Sequence, residues 1–137
     1  MKTIELLEVL REKALQTDGV NMYYNADIYK AVDGNDIKYP VICMALQSMT
    51  VKENFVSYMF QFYGAERLGN DEKNKSFALA QLFDIAEMYV AKLKQSTGIL
   101  DVELDRQYNQ SNFQTMDVVC CIYGTLTIDV ESDFSTC

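Results

Sequence analysis

Histidine is absent from the 137 residues. Its absence removes the commonest general base and the commonest metal ligand. It also excludes Ser-His-Asp and Cys-His catalysis, so an enzyme built on this chain would have to run on carboxylates, Tyr, Lys or Cys. Proline occurs once, at position 40. No apolar run approaches the ~20 residues of a membrane span, and no membrane association is expected. The opening Met1-Lys-Thr-Ile-Glu-Leu-Leu-Glu carries two acids within its apolar run, which a secretory core segment does not tolerate. The expectation is a chain made and kept in the cytoplasm, or in something assembled there.

No C-x-x-C spacing is present, which leaves a zinc ribbon or thioredoxin-like site without support. The four cysteines stand at 43, 120, 121 and 137. The first three lie in apolar segments, where a thiol serves as a small hydrophobe. Cys120 and Cys121 are adjacent in a strand pattern and are expected on opposite faces. Basic residues are also scarce: 12 Lys and Arg stand against 20 Asp and Glu, a net charge of −8. The bases are scattered, so sequence-specific nucleic-acid binding is not expected. The tyrosines and phenylalanines are not interleaved with Lys or Arg and read as core and interface packing.

What is present is ordinary globular material, 49% apolar and 23% charged, which argues against disorder. The length suits a single domain over 1–137 that can bury a core without disulfide, metal or cofactor. Residues 131–137 read as a polar, flexible tail.

Residues 3–16 have helical spacing, with Ile4, Leu7, Leu10, Arg11 and Ala14 recurring, Leu6 and Val9 widening the apolar face, Thr3 as N-cap and Asp18-Gly19 as the stop. Residues 20–38 are too long for a simple loop and hold a short strand or an irregular aromatic crossing. After Tyr39-Pro40 comes a strand, Val41–Gln47, then a connection over 48–54. A second strand follows, Phe55–Tyr63, with Val56, Tyr58, Phe60 and Phe62 on one face. Ser57, Met59, Gln61 and Tyr63 take the other. Gly64–Asn70 reads as a loop, and Asn70 or Asp71 as the cap of a helix running to about Gln95. Its apolar stripe is Leu79, Leu82, Phe83, Ala86, Tyr89, Val90 and Leu93, with Gly98 as C-cap. Leu100, Val102, Leu104, Arg106 and Tyr108 then alternate against acids. A turn at 110–112 leads to the longest alternating run, Asp117–Val130.

These elements give an α+β fold in the order α-β-β-α-β-β. The expected architecture is an antiparallel, mainly four-stranded sheet packed by two helices on one face. The other face is mixed, with Met59, Tyr63, Val119, Cys121 and Tyr123, and suits partial cover by a copy of the same chain.

Asp101, Glu103 and Asp105 put three carboxylates on one strand face, ~6–7 Å apart. A hard cation and a solvated edge that repels stray strands are both open readings. No fourth ligand is visible, so no metal is assigned. A carboxylate-dependent hydrolase using these acids is the weakest of the functional readings, because ligand sets normally converge from several elements. Glu66-Arg67 match no phosphate-binding fingerprint and read as an interface loop.

One further pattern runs through these residues. Tyr39-Pro40 leads into two alternating strands, the second ending near Glu66-Arg-Leu68. Asn70-Asp-Glu-Lys-Asn74 turns into a long helix. Asp117 opens the last strand, Gly124 lies within it, and Thr125-Leu-Thr-Ile-Asp-Val130 leads to a short tail ending in Cys137. Over Tyr39–Val130 this resembles small virion proteins of the head–tail neck and tail-terminator type in tailed bacteriophages, particularly those infecting gut Bacteroidetes. The resemblance implies a non-enzymatic subunit that forms a homo-oligomeric ring capping the tail or joining it to the head. Its partners would be itself and other neck or tail proteins, in a virion assembled in the host cytoplasm. It carries no fixed binding residues. The expected subunit contacts are Glu66, Arg67, Met59, Tyr63 and Tyr123, with residues 48–54 beside them. The alternative is a small acidic binding module, such as an immunity protein or antitoxin, which the size and charge fit equally.

Overall fold

The protein is seen in a computed structural model that describes residues 1–25, 37–67, 75–107, 113–114 and 118–132. The elements run α1 (Thr3–Leu15), β1 (Met22–Tyr24), β2 (Val41–Val51), β3 (Phe55–Arg67), α2 (Lys75–Lys94), β4 (Ile99–Gln107), β5 (Phe113–Gln114) and β6 (Val118–Glu131). The sheet order is β1-β2-β3-β6-β4, with the two-residue β5 paired onto β6.

The α+β character and the two helices are as expected; the antiparallel, mainly four-stranded sheet is not. The sheet is mixed, because β1 runs parallel to β2, pairing Met22 with Val41 and Tyr24 with Cys43. The order α-β-β-α-β-β matches only roughly, since β1 and β5 are additional. The segment after α1 therefore holds the short strand that was one of two readings. Parallel neighbours need a connection of a dozen or more residues to return the chain to the same end, and residues 25–40 supply it. Asn21 fixes this strand beside β2: its N–H donates to the Pro40 carbonyl (2.9 Å) and its Nδ2 to the Tyr39 carbonyl (2.6 Å).

β3 is the middle strand, β6 lies between it and β4, and β4, with its acid row, is left at the edge. Even-numbered residues of β3 and β6 face the helices: Phe60, Phe62, Ile122 and Leu126 are fully buried. Two bulges reset the alternation elsewhere. Gln47 is extra in β2 and Leu100 is extra in β4. The second bulge corrects the expected register, because Ile99 takes the buried place and Leu100 is 54% exposed.

In α1 Leu6, Leu10 and Ala14 of the expected apolar face are buried, while Ile4 is exposed; the stripe of the longer helix turns further. Lys2, with no side-chain bond, holds the N-cap position, and Thr3 spends its hydroxyl on Tyr58 OH at 2.8 Å. In α2 Ala78 and Ile85 join Leu82, Ala86, Tyr89 and Leu93 in the core, while Phe83 lies half out. Gly19 and Gly98, at φ 91° and 88°, end the two helices in the left-handed conformation. The helix cap at Asn70 or Asp71, the turn at 110–112, Asp117, Tyr108 and the tail from 133 lie outside the described residues.

Tyr89 joins three elements. It is fully buried, stacks on Phe62 of β3 (centroids 6.3 Å apart, planes at 23°) and donates its hydroxyl to the Leu10 carbonyl of α1 at 2.9 Å. Gly64 lets α2 approach the sheet: a Cβ there would stand 3.3 Å from Ile122 Cγ1 and 3.6 Å from Leu82 Cδ2.

Tyr89→Phe is expected to cost about 1 kcal/mol in urea denaturation, the net worth of one buried hydrogen bond. Tyr23→Phe is expected to be neutral or stabilising, because the buried Tyr23 hydroxyl has no hydrogen-bond partner among the described residues. Gly64→Val overpacks the helix–sheet contact and is expected to cost about 1–3 kcal/mol in the same assay.

Candidate interaction surface

Among the described residues, the sheet face turned away from the helices is covered at one end and open at the other. The covered end buries Val41, Cys43 and Ala65, with Met22, Tyr24, Ile37, Tyr39 and Tyr63 packed against them, so Tyr63 stands at the border of the covered and open parts. Cys121 is fully buried on this face and Cys120 in the helix-side core, so the two adjacent cysteines do point opposite ways.

Beyond that end the face presents side chains from three strands. β3 contributes Met59, 40% exposed, and the half-buried Gln61 and Tyr63. β6 sets Tyr123 directly opposite Tyr63, their ring centroids 6.3 Å apart and tilted by 38°. Gln47, pushed out by its bulge, donates Nε2 to Gln61 Oε1 at 2.8 Å. Between β3, β6 and β4 lies a cleft of about 250 Å³ lined by Gln61, Asp105, Tyr123, Gly124 and Thr125.

Along β4 the carboxylates of Asp101, Glu103 and Asp105 are exposed on this same face. Their cross-strand neighbours on β6 are Asp129, Thr127 and Thr125. Among the described residues no group of three acids, cysteines or histidines is placed to hold a metal ion. Asp101 opposite Asp129 puts two like charges in register, which is unfavourable in the isolated chain.

Of the five expected contact residues, the structure brings together Met59, Tyr63 and Tyr123. Glu66 and Arg67 stand apart from them. Both belong to β3, which continues through residues expected to form a loop, and their side chains leave opposite faces of the sheet. Glu66 pairs with Cys120 on the helix side, and its Oε1 accepts the Arg67 N–H at 2.9 Å. Partial burial pushes the Glu66 carboxyl above its ordinary range, against the lowering effect of that hydrogen bond. The strand persists because Gly64 and Ala65 continue its alternation into two packed layers. Residues 68–70 of the expected loop lie outside the described residues. Of the expected 48–54 connection, Ser48–Val51 belong to β2, and the turn closes with Lys52 N–H donating to the Phe55 carbonyl at 2.8 Å.

The alternation of the last strand puts Thr125 and Asp129 on the same side as Tyr123, but sequence reasoning missed that they lie opposite Asp105 and Asp101, because that depends on β6 pairing with β4. It also missed a second cleft, about 280 Å³, between the C-terminal half of α1 and β1. Arg11, Leu15, Asn21, Met22, Tyr23 and Lys38 line it. The signal available for that cleft was the exposed Arg11 within an otherwise apolar helical spacing.

No protein-family model matches the chain, and no curated protein sequence matches it.

Burial pushes the Cys121 thiol well above its ordinary range, with Cys43 and Cys120 adding in the same direction. The folded chain keeps this proton while the unfolded chain loses it above about pH 8.5. Stability is therefore expected to fall as pH rises from about 8 to about 10, with a shallower slope in Cys121→Ala. In a Cys137→Ser background, thiol titration is expected to find Cys43, Cys120 and Cys121 protected until denaturant is added, since all three are buried.

Proposed function

We propose that this chain is a non-catalytic assembly subunit, a virion neck or tail-terminator protein of the tailed-bacteriophage type that joins copies of itself into a ring. Two things support the reading. One is the resemblance over Tyr39–Val130. The other, which carries it physically, is the half-open sheet face. Its covered end shows that the chain can bury this side. Its open end leaves Met59 40% exposed, four residues along β3 from the half-buried Tyr63–Tyr123 pair. An apolar and aromatic centre with a polar and charged rim is the composition of a contact between proteins.

The ring reading needs a head-to-tail contact, in which each subunit offers two different surfaces. The open sheet face supplies one of them. The nearby acids give the assembly salt sensitivity, since exposed charges are screened beyond about 10 Å at moderate ionic strength.

Light scattering on size-separated protein over a concentration series tests this. Growth beyond the monomer is expected, with Met59→Asp shifting assembly to higher concentration while leaving the thermal midpoint within a few degrees. A strict monomer at every concentration contradicts the reading. A monomer that binds a small cationic protein with steep salt dependence favours the acidic binding module instead.

A further inference from the structure

One strand edge of the sheet is bare of charge. β1 pairs with β2 only from Val41 to Cys43, so among the described residues Met44–Val51 pair on one side alone, with β3. Leu46 is 41% exposed, Met49 54% and Val51 74%, and Gln47, Ser48 and Thr50 are exposed as well. Met49 lies roughly 20 Å along the strand from Cys43, where β1 ends. No charged residue occurs in Val41–Val51. Folded proteins commonly guard a sheet edge with charged side chains or proline, because its unpaired N–H and C=O groups template another strand. β4 follows that practice with Asp101, Glu103 and Asp105, and β2 does not.

Alternation sorts the side chains along this edge. Beyond the bulge at Gln47, Met49 and Val51 pair with the buried Tyr58 and Val56 and share their helix-side face. Ser48 and Thr50 pair with Met59 and Ser57 on the reverse face. Thr3 is hydrogen bonded to Tyr58, which sets the first turn of α1 over this end of the sheet. Ile4 in that turn is 66% exposed and adds to the apolar surface there.

We propose that this edge pairs with the same edge of a second copy, antiparallel, about a two-fold axis through Met49. Two features select a second copy as the occupant. An axis perpendicular to the sheet keeps each face on its own side, so Met49 meets the partner's Met49 on the helix side, and Ser48 meets the partner's Thr50 on the reverse. The strand also carries no charge, so like meets like without repulsion. The same pairing of β4 with β4 would set Glu103 against its copy and Asp101 against Asp105, which is unfavourable. The bulge at Gln47 bounds the regular stretch, so the contact is short and its dimer dissociates readily. This contact is isologous and lies on a different surface from the head-to-tail contact above, so each can fail without the other.

Disulfide trapping in a Cys137→Ser background tests it, since the other three cysteines are buried. Directly opposite residues of an antiparallel pair have Cα atoms about 4.5–5.5 Å apart, within disulfide reach. Thr50 lies off the axis, and its two copies stand roughly 8 Å apart, beyond that reach. Under mild oxidation Met49→Cys is expected to give at least about tenfold more covalent dimer than Thr50→Cys. Both side chains are exposed, and unchanged circular dichroism confirms folding. Met49→Lys places like charges face to face and is expected to weaken self-association about fivefold in light scattering. Equal crosslinking of the two cysteine variants overturns the two-fold register. No crosslink, with assembly that Met49→Lys weakens, shows that a different strand takes this edge and overturns the proposal. No crosslink, with assembly that Met49→Lys leaves unchanged, overturns the edge contact while the head-to-tail reading stands. A Met49→Cys dimer from a parent that never exceeds two copies upholds the edge contact and removes the head-to-tail reading. No crosslink from a parent that stays monomeric overturns both.

Discussion

Two helices can cover one face of this sheet and leave the other to be satisfied by different means. That constraint shapes the rest of the molecule. α1 and α2 fill the helix side with a continuous core, held by Tyr89 stacked on Phe62 and hydrogen bonded to the α1 backbone. Gly64 keeps α2 close enough for Leu82 to reach the sheet. On the reverse side only one end is closed, by the small cluster around Val41, Cys43 and Ala65. The remaining surface is neither a second core nor a clean polar face. Met59, Tyr63 and Tyr123 are left there because the alternation that sends Phe60 and Phe62 inward sends them outward.

Much of the fold was legible wherever a period was sustained. The alternation from Phe55 onward and from Val118 onward gave both central strands and the correct inward residues. The long helix was legible from its spacing and from Gly98. What failed has local causes. A single extra residue at Leu100 exchanged the roles of Ile99 and Leu100, and no propensity marks such a bulge. The stripe of α2 rotated because Ala78 and Ile85 fit the close approach better than Phe83, a packing matter outside the reach of a hydrophobicity pattern. β1 was missed as a defined strand because three residues carry no period. Its parallel pairing with β2 is set by tertiary contacts of Asn21 with the Tyr39–Pro40 backbone.

The candidate surface was legible only in part. Met59, Tyr63 and Tyr123 followed from strand parity. Glu66 and Arg67 were assigned to a loop by the two flanking glycines, whereas Gly64 serves packing and the strand runs through. The acid row was visible as a row, but not that β6 would bring Asp129 against it. The two clefts required the strand order. β4 lies at one margin of the sheet and β1 at the other.

On the proposed reading the chain is a building block that joins copies of itself head to tail. Native mass spectrometry from a low-salt volatile buffer tests that claim most directly. A closed head-to-tail assembly predicts one dominant species of three or more copies, with its shorter fragments as minor peaks. Monomer alone, or a dimer that never grows at any concentration, would contradict it.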